Sequence, residues 1–149
     1  MSKPAAALSY ETTAYVRDRC LCLHVQRAAR AVARRFDEAL RPLDLTNGQF
    51  SLLMSLNRPR PARMAEICSL LAMDRTTLTA NLKPLERRGL LRVGSDETDR
   101  RLRLLSLTEA GRRLLARALP IWTRTHEEID ALLGNSDIDG LRADLRALG

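Results

Sequence analysis

The residues best suited to chemistry lie between positions 75 and 103. Leu78, Leu82 and Leu85 stand at i, i+4 and i+7, so one face of a helix over about 75–88 must be buried. The opposite face carries Thr76, Thr79, Ala80, Lys83 and Arg87, with Arg75 and Thr77 in the first turn. Hydroxyls and cations bond phosphate oxygens and base edges, and a small residue at the centre lets a helix enter the major groove. A helix N-terminus also favours phosphate. The same face would serve as the solvent side of an ordinary amphipathic helix, so the next element along the chain must decide between the two. Arg100, Arg101 and Arg103 lie at or beside the tip of a candidate hairpin, next to Asp99. Arginine on an extended loop suits a narrow minor groove, where the negative potential is strongest. Asp99 stands where a carboxylate–guanidinium bond would orient Arg101. Polar helix and arginine-bearing hairpin in succession favour a DNA surface over a solvated one.

Other reactive side chains are few. Cys20 and Cys22 are two apart on a helix, so they point to different faces and cannot bridge each other there. Small apolar packing is the simpler reading. Redox sensing is the sharper one, because Arg17, Arg19 and His24 nearby would favour a thiolate. Cys68, beside Ile67 and Leu71, reads as core. His24 and His126 lack the spacing of a zinc site, so neither metal nor cofactor is expected. There is no Gly-rich phosphate loop and no nucleophile elbow, and the carboxylates are scattered among arginines. An enzyme is not expected; a thiol redox enzyme would lack the usual Cys-x-x-Cys pair.

The elements that must position these residues follow from periodicity. Residues 1–12 are short of periodic signal. From about Tyr15 to Leu40 apolar positions recur at helical steps (Val16, Cys20, Leu23, Ala28, Ala31, Val32, Phe36, Leu40), and Pro42 ends the run. Thr46 and Gln49 form a capping box for a helix reaching about Asn57. The Arg58-Pro59-Arg60-Pro61 stretch breaks it. A short helix comes next, with Met64, Ile67, Leu70 and Leu71 as its stripe. Ala72-Met73-Asp74 makes a tight connection in which Asp74 caps the next helix, and Gly89 stops that helix. Leu90–Val93 and Leu102–Leu107 then read as two strands joined by a charged loop. Thr108 caps a long helix to about Leu133 in which Pro120 predicts a kink or a break. After Gly134-Asn135, Ser136 is placed to cap a last helix striped by Ile138, Leu141, Leu145 and Leu148.

Composition agrees with packed helices. Of 149 residues 45% are apolar but only 3% aromatic, so Leu, Ala, Val and Ile must build the core. The formal net charge is +7, which raises affinity for polyanions. Residues 1–43 carry 8 Lys/Arg against 4 Asp/Glu and residues 44–108 carry 11 against 7, whereas residues 109–149 carry 6 against 7. No run approaches the ~18 apolar residues of a membrane span, and Met1–Leu8 has no apolar stretch long enough for a secretion signal. With three cysteines, an odd number, a reducing cytoplasm is the expected compartment.

The stretch Leu71–Gly111 closely resembles the multiple-antibiotic-resistance regulator (MarR) family. The likeness is carried by Asp74-Arg75-Thr76-Thr77-Leu78-Thr79, Leu85-Glu86-Arg87-Arg88-Gly89-Leu90, Asp99-Arg100-Arg101 and Leu107-Thr108-Glu109-Ala110-Gly111. It extends over Leu45–Leu56 and more loosely over both flanks. The resemblance implies a mainly α winged helix-turn-helix with a small β-hairpin wing, and N- and C-terminal helices interlocked in a two-fold dimer. It implies binding to a near-palindromic DNA duplex, usually as a repressor released by a small molecule or an oxidant. By position it makes 75–88 the recognition helix and Arg101 the minor-groove residue.

Residues 44–108 are thus expected to form the DNA-binding lobe, and residues 1–43 and 109–149 the dimerisation helices. Interlocking the flanks would bury the apolar surplus of Leu23, Leu114, Ile121, Trp122, Leu141 and Leu145 and set two recognition helices on successive major grooves. An effector pocket between flanks and lobe would draw on His24, Arg27, Phe50 and Met54. The competing readings are a cysteine-based redox-sensing regulator using Cys20 or Cys22, and a winged-helix module that docks a protein and no longer binds DNA.

Overall fold

The computed structural model describes residues 8–149. In chain order the elements are α1 (Tyr10–Arg19), α2 (Leu21–Leu40), a 3-10 turn (Arg41–Leu43), α3 (Asn47–Ser55), β1 (Ala62–Arg63), α4 (Met64–Leu70), α5 (Arg75–Arg87), β2 (Leu91–Ser95), β3 (Arg103–Leu107), α6 (Glu109–Leu132) and α7 (Ile138–Leu148). Helices α3 to α5 and the antiparallel sheet, in the order β1-β3-β2, form the winged helix-turn-helix. Among the described residues no helix is long and apolar enough to cross a membrane.

Local chemistry sets most boundaries. The Thr46 hydroxyl accepts from the Gln49 amide while the Gln49 side chain accepts from the Thr46 amide, completing the capping box. Between α4 and α5 the Met73 amide donates to the Cys68 carbonyl at 2.9 Å and the Ala72 amide to the Ser69 carbonyl at 3.3 Å. This is a Schellman turn that puts Ala72 at φ 50°, where glycine is the usual occupant. Gly89 ends the turn after α5 at φ 70°.

Leu40, Leu53, Ile67, Leu78, Leu85, Leu91 and Leu105 are wholly or almost wholly buried in one core, shared with Leu115 and Ala118 of α6. Each buried leucine contributes about 1.5–3 kcal/mol. The register sets Leu91 opposite Leu107 and Val93 opposite Leu105, so the inner sheet face continues the leucine face of α5. Helix α6 is tied to the lobe through Thr108, whose hydroxyl donates to the Gly89 carbonyl at 2.6 Å and accepts from the Gly111 amide at 3.1 Å. Gly111 is buried against the Leu90 carbonyl oxygen, where a Cβ would collide.

The structure differs from the sequence expectations at several places. Irregular chain over residues 1–12 lies outside the described residues as far as position 7; beyond it a helix already runs from Tyr10, because the Ser9 hydroxyl accepts from the Thr12 amide. The single long helix from Tyr15 is broken at Cys20, whose backbone is extended (ψ 100°) and whose sulfur accepts from the Leu23 amide at 3.4 Å. A cysteine is a weak cap, so the break leaves no mark on the apolar spacing. Strand β1 was not foreseen, since two residues after Pro61 show no period; it pairs Ala62 with Leu105. Leu70, expected in the α4 stripe, is 61% exposed, and Leu114, expected among the surplus apolar residues, is buried within the chain. Asp137 rather than Ser136 caps α7, its carboxylate accepting from the Gly140 amide at 2.9 Å. Pro120 does not interrupt α6.

Candidate nucleic-acid interface

The start of α5 is built by Asp74, whose two carboxylate oxygens accept from the Thr77 amide at 2.8 Å and the Thr77 hydroxyl at 2.7 Å. These bonds hold the Asp74 carboxyl below its ordinary range. Thr77 is thus occupied by the cap. Thr79 donates to the Arg75 carbonyl at 2.8 Å, a bond a hydroxyl can keep while accepting from another group. Arg75, Thr76, Thr79, Ala80, Lys83 and Arg87 are all exposed, while Leu78, Leu82 and Leu85 are buried.

The wing joins this face. Arg75, Thr79 and Lys83 line one groove with Arg103 of β3, a cavity of about 270 Å³ floored by Leu82 and Val93. Glu86 shares that groove and was not singled out by sequence. At the wing tip Asp96 does the organising: one of its oxygens accepts from the Thr98 amide at 2.8 Å, the Thr98 hydroxyl at 2.6 Å and the Asp99 amide at 3.3 Å. Those bonds hold the Asp96 carboxyl below its ordinary range, the Thr98 hydroxyl first among the causes. An Asp two residues before a Thr in a charged loop is the signal that would have found it.

Asp99 accepts from the Arg101 amide at 3.0 Å; it fixes the backbone at Arg101, where sequence expected it to hold the guanidinium. The Arg100 and Arg101 side chains are therefore exposed on a fixed backbone. Among the described residues Arg75, Lys83, Arg87, Arg100, Arg101 and Arg103 have no carboxylate within 4.0 Å. Six cations left to water on one helix and its adjoining hairpin can bond successive phosphates.

The remaining candidates are more dispersed. Phe50 is buried and Met54 half-buried on α3, whereas His24 and Arg27 are exposed on the first turns of α2. Phe36 and Phe50 each stack on Trp122, at 6.3 and 6.1 Å between centroids. His24 stands about 18 Å along α2 from Phe36, at 1.5 Å per residue, so one chain does not bring the four residues together. His126, 4.8 Å from the Trp122 ring, joins that aromatic cluster instead. Cys20 is half-buried at the helix break and Cys22 is exposed, its sulfur accepting from Gln26 at 3.2 Å. Cys20 Sγ is turned to the Leu23 amide and Cys22 Sγ to the Gln26 side chain, so the two thiols have different neighbours. Cys68 packs against the core.

Comparison with known proteins agrees with this geometry. A family profile described as a winged helix DNA-binding domain matches residues 45–111. The organic hydroperoxide resistance transcriptional regulator of Bacillus subtilis is 31% identical over 101 residues, covering 68% of this chain and 69% of that protein. The HTH-type transcriptional regulator TtmR of Methylorubrum extorquens is 37% identical over 97 residues, 65% of this chain; the match spans half of that relative's length. Among solved structures, the M. tuberculosis transcriptional regulator MosR in complex with DNA superposes with a TM-score of 0.79 at 37% identity, covering 87% of this chain and 93% of that one.

Proposed function

The chain belongs to the MarR family of winged-helix transcriptional regulators, and from that premise we propose that it is a sequence-specific, dimeric DNA-binding repressor released by a small molecule. The observation that carries this reading is the shared groove of Arg75, Thr79, Lys83 and Arg103, flanked by exposed cations without carboxylate partners. In it Arg75, Thr76 and Thr79 read base edges, with Thr77 holding the helix start. Lys83, Arg87, Arg100 and Arg103 neutralise phosphates, and Arg101, its backbone fixed by Asp99, enters the minor groove.

Residues 44–108 act as the DNA-binding lobe and the flanks 1–43 and 109–149 as dimerisation arms. Support for the dimer comes from apolar side chains left exposed on those arms, including Val16, Leu21, Leu141 and Leu145. The protein works in the cytoplasm and catalyses no reaction. Selection of duplexes from a random pool at two salt concentrations tests the reading. The expected product is a two-fold symmetric site with half-sites about one helical turn apart and affinity that falls steeply with salt. Enrichment of no sequence above background would overturn it.

A redox-sensing variant of the same function has its own support. Cys20 sits at a helix junction, Cys22 is exposed beside it, and one relative is named for organic hydroperoxide resistance. Replacing both cysteines by serine tests it: loss of peroxide-induced release from DNA supports the variant, and an unchanged response removes it.

A further inference from the structure

Three consecutive residues at the C-terminal end of α5 tie it to the elements on either side of the lobe. Arg88 closes α5 (φ -78°, ψ -2°), and its guanidinium donates to the Asp44 carbonyl at 2.6 Å and the Leu43 carbonyl at 3.4 Å. The Gly89 carbonyl accepts from the Thr108 hydroxyl at 2.6 Å, and the Leu90 carbonyl from the Thr108 amide at 3.1 Å. The end of α5 is thus bonded both to the turn after α2 and to the start of α6.

The carbonyls that Arg88 reaches are set by the way α2 ends. The Leu45 amide donates to the Leu40 carbonyl at 3.4 Å and the Asp44 amide to the Arg41 carbonyl at 2.9 Å. Asp44 takes a left-handed φ of 51°, which turns the chain and leaves the Leu43 and Asp44 carbonyls beyond the helix. The carbonyl end of a helix favours a cation, and a guanidinium fork can serve two neighbouring carbonyls where an ammonium is a single point of charge. Helix α5 packs chiefly on α4 and β2, so Arg88 supplies its polar tie to the end of α2.

Beside Arg87 in sequence, Arg88 reads as one more phosphate contact. One residue turns a helix by about 100°, which carries Arg88 off the face of Thr76, Thr79, Lys83 and Arg87. We propose that Arg88 is a positioning residue: it touches no DNA and fixes the angle of α5 against α2, and through that angle the separation of two α5 helices in a dimer. The inference rests on the proposed dimeric DNA-binding function and adds the residue that sets its half-site spacing. A single inserted base pair turns one half-site by about 35° and moves it by about 3.4 Å, so a firmly held α5 rejects it and a loosened one tolerates it.

The duplex selected from the random pool, and the same duplex with a base pair inserted between its half-sites, are titrated with the full chain. Wild type is expected to prefer the selected spacing by about tenfold or more, and Arg88→Met, which keeps the stem without the donors, by about threefold or less. Arg88→Lys, with the charge kept and the fork lost, should fall between them. The slope of log affinity against log salt should be unchanged in Arg88→Met, whereas Arg87→Met should make it shallower by about 0.9 per protomer. In the DNA-free protein, amide exchange over residues 41–46 should quicken by about threefold or more in Arg88→Met. Equal binding of both duplexes by wild type would overturn the proposal. So would a shallower salt slope, an intact spacing preference or unaltered exchange in Arg88→Met. Should wild type select no duplex, the DNA reading fails and the spacing role with it, and the exchange result still decides the tie between α5 and α2.

Discussion

Arg101 combines a fixed backbone with a free guanidinium, an arrangement that lets a side chain search a groove without the loop collapsing. Arg101→Ala is expected to weaken duplex binding by about 1–3 kcal/mol while sedimentation shows an unchanged assembly; unaltered affinity would sink the wing assignment. Gly111 is a structural counterpart. A methyl group there would meet the Leu90 carbonyl and come within 2.7 Å of a Leu107 methyl. Gly111→Ala should cost about 1–3 kcal/mol by overpacking, read as a lower urea midpoint at unchanged slope. The two roles differ in legibility. Arginine in a charged loop is visible as a residue type, whereas the need for glycine at 111 exists only because the Leu90 backbone lies against it.

At the scale of elements, the turn between α4 and α5 sets how α5 is presented. Ala72 occupies a left-handed conformation there that disfavours a Cβ. Ala72→Gly is expected to stabilise the fold by about 1 kcal/mol in urea unfolding, without changing DNA affinity. The cap of α5 gives a pH dependence. Hydrogen bonds from the Thr77 amide and hydroxyl lower the Asp74 pKa in the folded state. A carboxyl depressed in this way contributes stability that is present above its unfolded value near 3.8 and is lost as pH falls through the folded one. Asp74→Asn keeps an acceptor for the cap but cannot titrate, so its stability should fall less steeply below pH 4 than the wild type's. Most elements and caps were legible from spacing, because Thr46, Asp74, Gly89 and Thr108 act on neighbours three or four residues away. The break at Cys20 and strand β1 were not. One depends on a weak sulfur cap, the other on pairing with Leu104 and Leu105 across some forty positions.

For the whole molecule, the proposed dimer depends on the arms, which would bring two copies of α5 to act together. Leu141 and Leu145 lie outside the core, so Leu141→Glu with Leu145→Glu should leave the lobe folded yet give a monomer by ultracentrifugation and abolish tight operator binding. In the proposed dimer, salt dependence would report the phosphate contacts of both protomers. Lys83→Ala should reduce the slope of log affinity against log salt by about 2 in the dimer, since each lost phosphate contact lowers it by about 0.9. The sequence by itself determined the succession of helices from α3 onward and the wing, the caps at Thr46, Asp74 and Thr108, and the polar face of α5. Each of these depends on residue type and spacing within a turn or two of backbone. Only the tertiary structure decided that Leu70 faces water, that Asp96 rather than Asp99 organises the wing tip, and that Arg103 shares a groove with Lys83. It alone brought Arg88 to the carbonyls of Leu43 and Asp44. Such juxtapositions depend on how distant segments pack, and local periodicity carries no record of which faces meet.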